Sequence, residues 1–219
     1  MGSSFFLSEE LQGYLWSSMT PLDDVLTDLR EETAKSLRDV AQMQIAPEQG
    51  AFLTTLASVM GARRVIEVGT FTGYSALCLA RGLPLGGRLQ CFDVSDEWTS
   101  IARRYWERAG VADRIELTLG PAADSLAALP PDPVVDLAFL DADKVSNPQY
   151  VELLLPRLRP GGVLLLDNTL RNGTVLPSYP ATDEGTLVTI ELNKALAVDP
   201  RVEVVMLPIA DGLTIARKR

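Results

Sequence analysis

Histidine is missing from this chain altogether. That absence removes every serine–histidine or cysteine–histidine nucleophile and every histidine-ligated zinc site. Acid–base chemistry therefore falls to carboxylates, lysine, tyrosine or water. Cysteine is scarce: Cys78 and Cys91 stand in apolar surroundings, one on an expected helix and one on an expected strand. They read as buried, reduced thiols of a cytoplasmic protein. No apolar run approaches the roughly 18–20 residues of a membrane span. The opening Met1-Gly2-Ser3-Ser4-Phe5 has no basic stretch leading into a long apolar core, so neither membrane insertion nor export is expected. Positive charge is in deficit, with 20 Lys and Arg against 29 Asp and Glu and a net charge of −9. Such a surface is not built to neutralise phosphates, so no nucleic-acid partner is expected.

What is present suits one soluble domain. The 219 residues are 47% hydrophobic and 22% charged, with no repeat, low-complexity tract or linker. Apolar periodicity predicts helices over 8–18, 22–41 and, opened by Pro47, 47–60. Strands and helices then alternate: strand 65–68 and helix 74–80, strand 88–93 and helix 95–110 (capped by Ser95 or Asp96), then strand 114–119 and a short helix after the turn 120–125. Strand 134–140 precedes a helix over 147–158, interrupted early by Pro148. A turn at Pro160-Gly161-Gly162 leads to strand 163–166. A long loop spans 169–182, a last helix 183–198, and strands 202–208 and 213–216 flank a hairpin signal at Asp211-Gly212. The pattern predicts an α/β fold, mostly parallel, with one antiparallel strand near the end.

The chain is organised around residues 64–75, Arg-Val-Ile-Glu-Val-Gly-Thr-Phe-Thr-Gly-Tyr-Ser. A buried strand, a turn bracketed by Gly69 and Gly73, and a following helix form the first unit of a nucleotide-binding domain. The glycines are spaced G-x-x-x-G, whereas a dinucleotide pyrophosphate needs G-x-G-x-x-G. A ligand without phosphate fits better, and Glu67 suits one carrying an ammonium group. S-adenosyl-L-methionine meets both conditions, although a bare tight connection would have the same pattern. Asp93 ends the second strand 24 residues after Gly69; it is placed either to accept ribose hydroxyls or to cap a helix. Asp141 ends the fourth strand and Asp167-Asn168 the fifth. If those strands are neighbours, about 4.8 Å apart, three oxygens converge in a set suited to a hard ion such as Mg²⁺. The alternative is ordinary helix capping and turn formation. Lys144 is either a base beside that site or a surface lysine in a turn.

Collinear segments then carry a resemblance. Pro47-Glu48-Gln49-Gly50, residues 65–75, Asp141-Ala142-Asp143-Lys144, Arg159-Pro160-Gly161-Gly162, Asp167-Asn168 and Asp211-Gly212-Leu213-Thr214 resemble the cation-dependent O-methyltransferases. That family includes the caffeoyl-CoA and catechol O-methyltransferases and their bacterial relatives. The resemblance implies a Rossmann-like methyltransferase fold with a seven-stranded sheet and helices on both faces, the fourth and fifth strands adjacent. It implies one methyltransferase domain over 1–219, with 1–62 as helices covering the active site or forming a dimer interface and 63–219 as catalytic core. By position, Glu67, Gly69, Thr70 and Ser75 would bind the methionine part of S-adenosyl-L-methionine. Asp93 would hold the ribose, Ala122 would border the adenine, and Met43 and Ile45 would line the cofactor pocket. Asp141, Asp167 and Asn168 would ligate the divalent cation (Mg²⁺, with Ca²⁺ or Mn²⁺ as alternatives). Lys144 would be the general base, and Asp141 would also serve catalysis and the cofactor pocket.

The implied reaction moves a methyl group to a hydroxyl of a catechol-type small molecule, in a cytoplasmic homodimer. Two departures fall on the acceptor side. Ser146-Asn147 replaces the family's Asn-Tyr pair, though Tyr150 matches, and Thr169-Leu170-Arg171-Asn172-Gly173 stands where a tryptophan is common. They weaken the expectation of a caffeoyl-CoA-like acceptor and leave the chemistry untouched. Arg171 either pairs with an acidic substrate, such as a carboxylated aromatic, or is solvated. Of the alternatives, an NAD-dependent oxidoreductase lacks its third glycine, and a non-catalytic S-adenosylmethionine-binding module would not need Asp141, Lys144, Asp167 and Asn168 together. A nucleic-acid methyltransferase would carry an Asn/Asp-Pro-Pro-Tyr motif, which is absent.

Overall fold

Strands buried on both faces have to be largely apolar where they are buried, and three strands here meet that condition over their C-terminal stretches: β1 (Arg64–Val68), β4 (Val135–Leu140) and β5 (Leu158–Asp167). In a computed structural model, which describes residues 7–179 and 181–219, they form the centre of a seven-stranded sheet. The remaining strands are β2 (Arg88–Asp93), β3 (Ile115–Leu119), β6 (Val202–Leu207) and β7 (Leu213–Lys218), and the order is β3-β2-β1-β4-β5-β7-β6. Only β7 runs against the others, antiparallel to both β5 and β6. The opening residues 1–5, in which no export signal was read, and Pro180 in the long loop lie outside the described residues.

Alternation along the strands splits the interior into two layers. Val65, Leu137, Phe139 and Leu165 face α2 (Asp24–Ser36), α3 (Pro47–Met60), α4 (Tyr74–Gly82) and α5 (Asp96–Arg108). Ile66, Val68, Leu140 and Leu166 face α6 (Ala122–Ala128), α7 (Asn147–Leu154) and α8 (Glu184–Val198). A first helix, α1 (Glu9–Ser17), precedes them. The order of the strands reverses between β1 and β4. That places a crevice beyond their C-terminal ends, where open α/β sheets take ligands.

Four details differ from the sequence reading. The helix expected over 22–41 stops at Ser36, because Leu37 leaves helical geometry (φ −125°, ψ 45°). The chain then closes a 3₁₀ turn at Ala41–Met43, and this carries Gln44 back to Thr33. Pro148 does not interrupt α7; it sits in the first turn, where its missing N–H goes unused. The helix instead tightens into a 3₁₀ turn at Leu155–Arg157, which contains Pro156. Finally, Pro160-Gly161-Gly162 lies inside β5, not before it, where the pairing with β4 shifts register after Val135. A Cβ on Gly162 would come within 3.0 Å of the Val135 carbonyl oxygen, so glycine permits this close approach. Cys78 and Cys91 are free and buried. Among the described residues, no helix is long and apolar enough to cross a membrane.

Candidate active site

The turn after β1 is shaped by two glycines. Gly69 adopts φ +89° and Gly73, the N-cap of α4, φ +82°. Space as well as dihedral demands them. A Cβ on Gly69 would stand 2.2 Å from the Asp141 carbonyl oxygen, and one on Gly73 would stand 2.5 Å from the Ala102 Cβ. Between them Phe71 takes the left-handed region, φ +51°, and its ring meets Trp98 edge-on at 5.2 Å between centroids. Asp93 holds this shape. Its Oδ2 accepts from the amides of Thr70 and Phe71, both at 2.8 Å, and its Oδ1 accepts from Ser95 N at 2.8 Å. Ser95, not Asp96, caps α5, accepting from Trp98 N through its hydroxyl.

This turn forms one wall of a cavity of about 730 Å³. The cavity brings together Gly69, Thr70, Ser75 and Asp93 from the glycine-turn side, Ala122 from the start of α6, and Met43 and Ile45 from the segment after α2. Asp141, Lys144 and Asn168 line its other end. Glu67 and Asp167 belong to the expected set but not to this lining; both are buried behind it. Burial pushes the Glu67 carboxyl up to about 8, opposed by the nearby Ser75 and Cys91 side chains. Its Oε2 accepts from Cys91 Sγ at 3.4 Å, while Oε1 has no partner among the described residues.

Lining residues that sequence reasoning missed include Phe71, Trp98 and Gln44. Trp98 carried a readable signal, since an aromatic in the first turn of the helix after the β2 acid must lie near the glycine turn. Gln44 carried none. It works through tertiary contacts: Nε2 donates to Thr33 Oγ1 at 3.2 Å and to Thr72 Oγ1 at 3.1 Å, and Thr33 Oγ1 donates to Thr72 Oγ1 at 3.0 Å. This buried network ties α2, the Met43–Ile45 strap and the glycine turn into one unit.

At the ends of β4 and β5, the pairing of Leu140 with Leu166 sets Asp141 beside Asp167. Lys144 Nζ contacts Asp141 Oδ1 at 3.2 Å, with both side chains largely buried. Burial, reinforced by the Asp167 charge, pushes Asp141 up to about 7, and Lys144 opposes the shift. Burial also raises Asp167, again opposed by Lys144. Asp167 Oδ1 is buried with no partner among the described residues. Two carboxylates held here against one ammonium leave an uncompensated negative charge, a condition that a divalent cation relieves. Asn168, in the left-handed region at φ +54°, adds a neutral amide oxygen, and oxygen donors of this kind fit a hard ion. Among the described residues no group of three His, Cys, Asp and Glu is placed to hold a metal, so any such site here needs the amide. Asp143 is occupied elsewhere, accepting from Ser146 N at 2.9 Å and Tyr150 OH at 3.2 Å.

Comparison with known proteins agrees with this geometry. Residues 16–219 match the sequence profile of the family described as O-methyltransferase. The chain is 37% identical over 226 residues to caffeoyl-CoA O-methyltransferase 1 of Arabidopsis thaliana, covering 98% of this chain and 86% of that protein. Among solved structures, the O-methyltransferase from Bacillus cereus in complex with SAH superposes with a TM-score of 0.86 at 33% identity, over 96% of this chain and 97% of that one. The O-methyltransferase TomG from Streptomyces achromogenes, solved with SAM, has a TM-score of 0.86 at 30% identity, over 95% and 96% of the two chains.

Proposed function

This chain belongs to the O-methyltransferase family, and on that premise we propose that it transfers the methyl group of S-adenosyl-L-methionine to one hydroxyl of a vicinal dihydroxy aromatic compound with the help of a divalent cation, Mg²⁺ first among candidates. The observation that carries the reading is the buried Asp141–Asp167 pair, short of positive charge, beside Lys144 and against the glycine turn.

In this reading Asp141, Asp167 and Asn168 hold the ion, and Gly69, Thr70 and Ser75 hold the methionine part of the cofactor. Glu67 lies behind them as a carboxyl that would give up its proton to pair with the ammonium, which the unpartnered Oε1 supports. Asp93 turns toward the ribose, and Ala122, Phe71 and Trp98 flank the adenine. When bound, the sulfonium supplies an electrophilic methyl carbon and the cation lowers the pKa of the hydroxyl it touches. Lys144, which must first shed its own proton beside the bound cation, would take the hydroxyl proton at Nζ, and Asp141 Oδ1 holds that nitrogen in place. The strap over Met43 and Ile45 and the Phe71–Trp98 pair exclude water, while the two strand ends fix the approach of nucleophile to methyl carbon. The remaining expectations, a homodimer acting in the cytoplasm with residues 63–219 as catalytic core, belong to the same reading. Family membership sets aside the oxidoreductase.

The test is a methyl-transfer screen over catechols and neutral phenols with Mg²⁺, with EDTA, and with Mg²⁺ restored. Transfer confined to vicinal diols, lost in EDTA and recovered with the ion, is expected. Full turnover after exhaustive chelation, or no transfer to any diol, overturns the proposal.

A further inference from the structure

The charged side chains lining the cavity are Asp93, Asp141, Asp143, Lys144 and Arg171. Four have strong partners. Asp93 accepts from three backbone amides, Asp143 from Ser146 N and Tyr150 OH, and Asp141 and Lys144 pair with each other. Arg171 is the exception. Its Nε donates to Thr186 Oγ1 at 3.2 Å, and Nη2 reaches Asp183 Oδ1 only at 3.5 Å. Asp183 is already committed as the N-cap of α8, accepting from Thr186 N at 2.8 Å and from Thr186 Oγ1 at 2.7 Å. Nη1 makes no hydrogen bond among the described residues. In a chain of net charge −9, the acceptor end of the cavity thus presents a guanidinium with donors to spare.

The backbone beneath it is strained. Arg171 and Asn172 both lie in the left-handed region, at φ +48° and +50°. Each costs on the order of 1 kcal/mol for a non-glycine residue. The surroundings impose the shape: Asp211 Oδ1 accepts from Asn172 N at 2.5 Å, Thr174 Oγ1 donates to the Arg171 carbonyl at 2.7 Å, and Leu170 N donates to the Asp211 carbonyl at 3.0 Å. Strain fixed in this way is found where a side chain must be aimed. The direction can be read from Gly185, where a Cβ would lie 3.5 Å from Lys144 Cβ and 3.9 Å from Arg171 Nη2. The guanidinium and the stem of Lys144 thus both pack against the start of α8, and both residues line the one cavity.

We propose that Arg171 determines acceptor specificity by binding a carboxylate borne on the aromatic ring, so that the preferred substrate is a dihydroxylated aromatic acid. This rests on the methyl-transfer function proposed above. A guanidinium beside an oxyanion makes two charge-assisted hydrogen bonds in a fixed plane, and here the guanidinium lines the same cavity as Lys144. An anion held by Arg171 would lie in the same cavity as Asp141 and Lys144. The phosphates of a coenzyme A thioester lie many bonds from the ring, so a ring carboxylate fits the placement and a thioester tail does not.

The experiment compares 3,4-dihydroxybenzoate, catechol and caffeoyl-CoA as acceptors for the full chain with Mg²⁺ and S-adenosylmethionine. The wild type should prefer the benzoate to catechol by about tenfold or more in kcat/KM, expressed in KM. Arg171→Gln should remove that preference and Arg171→Lys should keep part of it. Asp183→Asn, which retains a capping oxygen and frees the guanidinium, should enlarge the preference. A purely structural Arg171 would give the opposite pattern: the glutamine variant would slow both acceptors alike and Asp183→Asn would change nothing, which overturns the proposal. A preference for caffeoyl-CoA that Arg171→Gln abolishes also overturns it. Should the wild type methylate none of the three, the function proposed above fails. Calorimetric titration of dihydroxybenzoate and catechol into protein loaded with S-adenosylhomocysteine and Mg²⁺ then decides the role of Arg171 separately, and equal affinities would overturn it.

Discussion

Replacing Asp93 by asparagine separates two duties that share one carboxylate. As a ligand-binding residue, Asp93 would matter only once a ribose arrives; as an acceptor for the amides of Thr70, Phe71 and Ser95, each at 2.8 Å, it matters in the free protein. Asparagine keeps the size and one oxygen. If that oxygen takes the Oδ2 place, the Thr70 and Phe71 bonds survive with a neutral acceptor, and the new amide group confronts the Ser95 N–H, donor against donor. Losing one charge-assisted bond, stranding a part-buried donor and weakening two more bonds should destabilise the free protein by about 2–4 kcal/mol. Phe71 loses the tether that keeps it at φ +51°, so its edge contact with Trp98 should loosen as well. Urea unfolding of the ligand-free protein reads the effect as a midpoint lowered by about 1 M at unchanged slope. Calorimetry with S-adenosylhomocysteine reads the binding loss. A variant with the midpoint of the wild type and weakened binding would refute the account of Asp93 as the pin of the turn.

Three further outcomes follow from the same geometry. Asp141→Ala should lower kcat at saturating Mg²⁺ by at least about a hundredfold while S-adenosylhomocysteine binding changes little, as initial rates and calorimetry would show. Glu67 has its carboxyl raised from an ordinary 4.5 to about 8 by burial, so the folded protein keeps a proton that the unfolded chain releases. Its stabilising contribution is complete below about pH 4.5 and is lost as pH rises toward 8; urea stability of the ligand-free wild type should therefore fall relative to Glu67→Gln across that window, and parallel curves would exclude burial as the cause. Gln44→Ala removes the buried bonds to Thr33 and Thr72 and should raise KM for S-adenosylmethionine with an effect of about 1–2 kcal/mol. Thr33→Val added to it should cost little more, since the bonds act as one network.

The sheet was legible because its central strands write their burial into the sequence: residues 65–68 and 135–140 are almost wholly apolar, interrupted mainly by Glu67 and Asp136. The elements misread were those where a tertiary contact overrules a local pattern. Leu37, Val40 and Ala41 continue the helical periodicity of α2, yet the chain bends there so that Gln44 reaches Thr33 and Thr72. Pro160-Gly161-Gly162 has turn composition, yet it pairs within β5 because small residues suit the offset against β4. In the site, strand-end acids were readable from spacing, since the C-terminal edge of a parallel sheet is where such residues gather. What spacing did not reveal was that Asp93 spends its oxygens on backbone amides, or that Glu67 and Asp167 lie behind the cavity wall. Side-chain direction at a strand terminus depends on the loop that follows, and no periodicity encodes it.

The would-be Cβ of Gly69, 2.2 Å from the carbonyl oxygen of Asp141, means that the glycine bend and the β-end carrying Asp141, proposed to hold the methyl donor and the cation, are pressed backbone to backbone. Neither can shift without displacing the other. The separation across which a methyl group would travel is thus set by main-chain packing rather than by adjustable side chains. The 169–173 segment forms no part of that contact, so redesigning it offers a way to retune which acceptor enters while leaving the stroke length alone.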